Sequence, residues 1–203
     1  MTKKSMLPVM EQFYTLQGEG YYSGKAAYFV RLAGCDVGCH WCDVKESWEI
    51  SKDQYIDVDT IVKDAVESGT EIVVVTGGEP FTHDLTELTS KLKEAGLRTH
   101  VETAGVFPIT GQWDWICLSP KKFKPVLDEY YNSADELKVI VFNQSDFQWA
   151  QDQKNKVINA ECKYYLQPEW SKEPELNTSI VLFIKENIEW TYSMQTHKYL
   201  SIQ

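Results

Sequence analysis

The sequence has no apolar run long enough to cross a bilayer. Stretches such as Ile72–Val75 and Ile180–Ile184 fall far short of the roughly 20 residues required. It lacks a basic excess as well: 30 acidic against 20 basic residues leave a net charge of −10, which repels phosphate backbones and argues against nucleic-acid binding as the primary role. Neither repeats nor Gly/Ser/Pro linkers divide it, so 203 residues are expected to form one domain, 1–203. The opening Met1-Thr2-Lys3-Lys4-Ser5 carries two lysines but no apolar segment or small-residue cleavage site after them, and a cytoplasmic protein is expected. Five cysteines, an odd number, do not suggest a disulfide framework. Three of them, however, fall within eight residues, and that clustering requires a chemical reason.

Apolar periodicity predicts a strand over Ala27–Leu32, a helix over Val58–Val66 capped by Asp57 or Asp59, and a doubly buried strand over Glu71–Thr76. A helix over Asp84–Ala95 should stop at Gly96, followed by strands at Arg98–Glu102, Trp115–Leu118 and Leu137–Phe142. Helices at Phe147–Val157 and Pro174–Ile188 and late strands at Tyr164–Gln167 and Tyr192–Gln195 complete the pattern. Alternating strands and helices mean an α/β fold with a mostly parallel sheet, whose functional groups gather at the carboxyl ends of the strands. Those ends carry the cysteine segment, Thr76-Gly77-Gly78-Glu79, Glu102-Thr103, Ser119-Pro120-Lys121 and Gln167-Pro168. The basic run Lys121-Lys122-Phe123-Lys124 offers a place for a small anion.

The cysteine segment reads Cys35-Asp36-Val37-Gly38-Cys39-His40-Trp41-Cys42, a C-x3-C-x2-C spacing. Three soft thiolates on one loop suit a cubane iron–sulfur cluster, one of whose irons would keep an open position for a ligand. Zinc held by the three cysteines and His40, or cysteines that merely fill space, are the alternatives.

This spacing, followed by the turn Val75-Thr76-Gly77-Gly78-Glu79-Pro80, resembles the radical S-adenosylmethionine superfamily. Further segments, Phe13-Tyr14-Thr15-Leu16-Gln17-Gly18-Glu19-Gly20, Phe29–Cys35, Ser119-Pro120-Lys121 and Ser193–Leu200, resemble the 7-carboxy-7-deazaguanine synthase family and extend the likeness over nearly the whole chain. The resemblance implies an incomplete (partial) TIM-like βα barrel, a 4Fe–4S cluster on Cys35, Cys39 and Cys42, and S-adenosylmethionine as cofactor. It also implies conversion of 6-carboxy-5,6,7,8-tetrahydropterin to 7-carboxy-7-deazaguanine with loss of ammonia, on the route to queuosine and other 7-deazapurines. An electron donor such as flavodoxin or ferredoxin, and a homodimer, are implied with it.

By the same resemblance, Leu16, Gln17 and Gly18 contact substrate largely through backbone groups, Arg31 pairs with the substrate carboxylate, and Thr76, His197 and the terminal carboxylate of Gln203 reach the substrate. Trp41, Cys42, Asp43, Gly78, Glu79, Ser119, Pro120, Lys121 and Gln167 fall to cofactor binding, and Glu102 to cofactor or substrate. His83 and His100 receive no role. One departure stands out. The family's Cys-Asp-Thr, whose threonine helps hold magnesium, is here Cys42-Asp43-Val44, and valine offers no oxygen to a hard cation. Magnesium would then bind through substrate, water and backbone, or its role would be lost.

Overall fold

The computed structural model describes residues 5–39, 42 and 44–203. Nine strands form one sheet: β1 (Met6–Leu16), β2 (Ala26–Leu32), β3 (Tyr55–Asp57), β4 (Ile72–Gly77), β5 (Arg98–Thr103), β6 (Trp115–Leu118), β7 (Glu136–Val141), β8 (Lys163–Pro168) and β9 (Trp190–Tyr192). Their order is β3-β1-β2-β4-β5-β6-β7-β8-β9. From β2 to β9 every neighbouring pair is parallel, whereas β1 runs antiparallel to both β2 and β3. The sheet ends at β3 and β9 without closing, so the barrel is partial.

Among the described residues six α-helices accompany it: α1 (Val58–Glu67), α2 (Thr86–Glu94), α3 (Asp128–Ser133), α4 (Ser145–Lys154), α5 (Glu173–Glu186) and α6 (Thr196–Leu200). The Asp57 side chain caps α1 by accepting from the Asp59 amide at 3.0 Å. Val58, Ile61 and Ala65 of α1 and Leu88 and Leu92 of α2 are buried and belong to one core with Val73, Val75, Val101, Leu137, Val139 and Leu166 from the strands. Each such leucine contributes roughly 1.5–3 kcal/mol by leaving water.

Side chains alternate along a strand, so the residues between these core positions face the other way. That inner face is polar toward the carboxyl ends of the strands: Arg31 lies beside Thr76, Glu102 beside Cys117, and Gln167 beside Ile140 in register. The partial barrel thus has an apolar outside under its helices and a chemically equipped inside.

Sequence periodicity omits four of these elements and misplaces a fifth. It omits β1, whose pattern is half-buried rather than apolar because its inner face borders the cavity. Short β3, α3 and α6 carry too few residues to show a period. The last strand is Trp190–Tyr192 rather than Tyr192–Gln195, because buried Trp190 anchors it, while Ser193 and Gln195 turn inward to make polar contacts. No helix among the described residues is long and apolar enough to cross a membrane.

Candidate active site

A cavity of about 520 Å³ occupies the inside of the partial barrel. It brings together Cys39, Cys42, Val44, Thr76, Gly78, Glu79, Glu102, Ser119, Lys121 and Gln167 from the strand ends with Leu16, Gln17, Gly18, Arg31, His197 and Gln203. Of the expected site residues among those described, Cys35 and buried Pro120 are not part of its lining. Trp41, Asp43 and the alternative zinc ligand His40 lie outside the described residues.

The cysteine loop and the glycine turn are built as one unit. The Gly78 amide donates to the Leu32 carbonyl at 2.8 Å and the Glu79 amide to the Gly34 carbonyl at 3.0 Å. A Cβ on Gly78 would stand 2.2 Å from the Gly34 oxygen, so only glycine lets the turn approach the loop this closely. His83, which the sequence left without a task, bonds the Ala33 carbonyl through Nε2 at 2.8 Å and fixes the chain just before the loop. Glu79 is buried and held by Thr103 Oγ1 (2.6 Å), the Ala104 amide (2.8 Å) and the Phe81 amide (3.3 Å). Burial pushes its carboxyl up, against the pull of those donors. Its side chain therefore anchors the turn.

The thiols of Cys35 and Cys39 are raised above the usual range, chiefly by burial. Metal ligation requires their deprotonation, so a metal arriving here displaces protons. Three half-buried soft donors on a loop beside the cavity fit an iron–sulfur cluster. The fit to magnesium is poor at one position: Val44 lines the cavity, and its side chain supplies no oxygen.

The opposite wall comes from the β1–β2 connection. Leu16 pairs with Ala26 where β2 begins, so this turn starts at the amino ends of the parallel strands and bends inward. Tyr21 stacks on Trp115 at 4.9 Å between ring centroids, and Tyr22 packs on Trp115 and His100 at 5.0 and 4.5 Å. Arg98 Nη2 donates to the Tyr22 hydroxyl at 2.8 Å. This aromatic plug fills the inner face below the cavity. Burial, helped by Arg98, lowers His100 to about 4, which keeps it neutral in the plug.

Above the plug sits an ionic cluster that sequence reasoning did not find. Lys138 of β7 is buried, and its Nζ contacts Glu19 Oε2 at 2.5 Å and Glu102 Oε2 at 3.3 Å. Gln195 Nε2 donates to Glu19 Oε1 at 2.8 Å. Burial alone would raise Glu19, but the Lys138 charge and hydrogen bond, then Gln195 and His197, hold it down at about 2. One signal was present in the sequence: a lysine within the apolar run Leu137–Phe142 must find a buried partner.

The carboxyl-terminal segment closes the side of the cavity. Thr196 donates to the Gly18 carbonyl through its amide (2.8 Å) and its hydroxyl (3.0 Å), and Thr15 Oγ1 donates to the Gln203 carbonyl at 3.2 Å. His197 packs directly on Gly18. Gln167, on β8, accepts from Ser193 Oγ at 2.8 Å, which ties the same segment to the barrel. The basic run 121–124 is divided between the surface and the cavity. Lys122 pairs with Asp146 and Lys124 lies 4.0 Å from Asp36, whereas Lys121 bonds only the neutral carbonyl and hydroxyl of Ser119 and turns into the cavity.

Comparisons with known proteins bear on this arrangement. The signature of the Radical SAM superfamily matches residues 30–118, from β2 through the cysteine loop to the end of β6. The chain is 53% identical to the 7-carboxy-7-deazaguanine synthase of Flavobacterium psychrophilum over 98% of its own length and 94% of that protein's. The chain belongs to the 7-carboxy-7-deazaguanine synthase family. The synthase of Synechocystis sp. is 46% identical, with 97% and 93% covered. The crystal structure of QueE from Escherichia coli superposes with a TM-score of 0.84 at 32% identity and covers 95% of each chain. Family membership brings with it a 4Fe–4S cluster and S-adenosylmethionine, and so decides for iron over zinc at the cysteine loop.

Proposed function

We infer that this chain converts 6-carboxy-5,6,7,8-tetrahydropterin to 7-carboxy-7-deazaguanine by radical ring contraction with loss of ammonia, in 7-deazapurine and queuosine biosynthesis. The observation that carries this reading is one cavity lined both by cluster-loop cysteines and by residues of the family's opening and terminal motifs, in a chain matching named synthases nearly end to end. When bound, the cluster on Cys35, Cys39 and Cys42 together with S-adenosylmethionine supplies the one-electron chemistry that opens a strong C–H bond.

The protein's share is orientation and exclusion. Arg31 would receive the substrate carboxylate: Glu11 takes its Nε at 2.7 Å, and the outer edge of the guanidinium would serve a bidentate carboxylate. Leu16, Gln17 and Gly18 would meet the flat heterocycle with backbone groups, and Thr76, Glu102, His197 and Gln203 would contact it from the sides. Gly78 and Glu79, Ser119, Pro120 and Lys121, Gln167, and the Trp41-Cys42-Asp43 stretch are the proposed cofactor contacts. The Lys121 ammonium braces Ser119 from both its carbonyl and its hydroxyl at 2.7 and 2.8 Å. The aromatic plug and the terminal segment keep bulk water and stray hydrogen donors from the cavity. No step is derived through magnesium.

The domain is read as one radical S-adenosylmethionine core, 1–203, with an amino-terminal substrate turn and a carboxyl-terminal cap. A homodimer in the cytoplasm, drawing electrons from a donor such as flavodoxin or ferredoxin, completes the proposal. The test is an anaerobic assay with iron-reconstituted enzyme. Ultraviolet-absorbing deazaguanine should form only when S-adenosylmethionine and a reductant are both present. Product formed by a cluster-free Cys39→Ala variant would refute the assignment.

A further inference from the structure

Four residues of the cavity floor form a closed ring of contacts. Lys138 Nζ holds Glu19 Oε2 at 2.5 Å, and the Glu19 amide donates to Gln17 Oε1 at 3.1 Å. Gln17 Nε2 donates to Glu102 Oε1 at 3.0 Å, and Glu102 Oε2 returns to Lys138 Nζ at 3.3 Å. Each oxygen of Glu102 thus has a protein donor, which fixes the plane of its carboxylate. Yet its side chain remains 24% exposed against 3% for Lys138, so acceptor capacity is left facing the cavity while the cation is hidden behind it.

A buried ammonium at the centre of such a ring is costly unless the ring uses it. Around it stand Glu102 on β5, Cys117 on β6, Glu136 on β7 itself and Glu19 from the β1–β2 turn, with His197 of α6 beyond Glu19 and Lys121 beyond Cys117. Burial would lower Lys138, but the carboxylates of Glu102 and Glu19 lift it well above its ordinary range, so it stays charged.

Resting on the function inferred above, we propose that Lys138 is a positioning residue that fixes Glu102 as an oriented acceptor on the cavity floor. The floor then selects a ring edge carrying adjacent N–H donors, as the 2-amino, N3–H edge of a pterin does, over one carrying an oxygen at the 2-position. The physical reason is asymmetry: a fixed carboxylate cannot turn away from an oxygen placed against it, and a buried acceptor left facing an acceptor is penalised more than a lost hydrogen bond.

The experiment measures equilibrium dissociation constants for 6-carboxytetrahydropterin and its 2-oxo counterpart on anaerobic, reconstituted, S-adenosylmethionine-loaded enzyme. Wild type should prefer the 2-amino ligand by at least a hundredfold. Lys138→Met should lower that preference at least tenfold while S-adenosylmethionine affinity changes less than threefold, and Lys138→Arg should keep most of the preference. Should the methionine variant fail to fold, Glu102→Gln carries the test with the same expected loss. Equal binding of the two ligands by wild type, or proportional weakening of both in the variant, overturns the proposal. Failure of wild type to bind or turn over the pterin at all would instead defeat the assigned function.

Discussion

The contact between Gly18 and His197 packs the terminal segment into the cavity wall, and Gly18→Ala tests the role proposed for that wall at the substrate. A Cβ at position 18 would lie 2.2, 2.7 and 2.8 Å from Nδ1, Cγ and Cβ of His197. A rotamer change can move the first two atoms but not the third, because His197 Cβ is fixed by α6. The helix itself must retreat by about half an ångström or more to reach ordinary contact distance. That retreat pulls on the two Thr196 hydrogen bonds to the Gly18 carbonyl, at 2.8 and 3.0 Å. Overpacking of this kind costs about 1–3 kcal/mol. Expressed on substrate binding alone, the cost is roughly a fivefold to hundredfold rise in pterin KM. Steady-state kinetics at saturating S-adenosylmethionine would read it, with kcat reduced less than kcat/KM. A second arm uses His197→Gly, which removes all three clashing atoms. On that background Gly18→Ala should add little, because the overlap is gone. Unchanged pterin KM in Gly18→Ala, or full additivity with His197→Gly, would refute the reasoning.

Other expectations follow from the same contacts. Glu19, depressed to about 2 from an ordinary value of 4.5, contributes stability that is complete above about pH 4.5 and lost as pH falls toward 2. Thermal unfolding of Glu19→Gln should therefore be less stable than wild type at neutral pH, with the gap narrowing through that acid window. Thr103→Val removes the 2.6 Å donor to buried Glu79 and should cost about 1–3 kcal/mol in urea unfolding, with a matching loss of S-adenosylmethionine affinity. Val44→Thr restores an oxygen at the cavity wall, so the magnesium concentration giving half-maximal turnover should fall. An identical magnesium dependence would show that the side chain at 44 does not meet the ion.

Much of the fold was legible in the sequence because its helices and parallel strands each bury a continuous apolar face, as in α1, α2 and β4. The cysteine loop and the Gly-Gly-Glu-Pro turn were legible because each compresses its chemistry into a few adjacent residues. The floor was not. Lys138 meets Glu19 across 119 residues and Gln195 meets Glu19 across 176, and no local pattern announces contacts that long. The rule that function gathers at strand carboxyl ends also hides the β1–β2 turn, which enters from the opposite rim. The Lys121–Lys124 run is legible only as a charge cluster: Lys122 and Lys124 face Asp146 and Asp36 from elsewhere in the chain, and Lys121 enters the cavity.

Turnover requires the cluster loop and the floor to share one cavity, so that cofactor and substrate are neighbours. Electron paramagnetic resonance of the reduced, reconstituted enzyme measures this directly. Adding S-adenosylmethionine should change the cluster signal, and adding carboxytetrahydropterin afterwards should change it again. A signal that responds to neither addition, or to the first and never the second at saturating pterin, contradicts it.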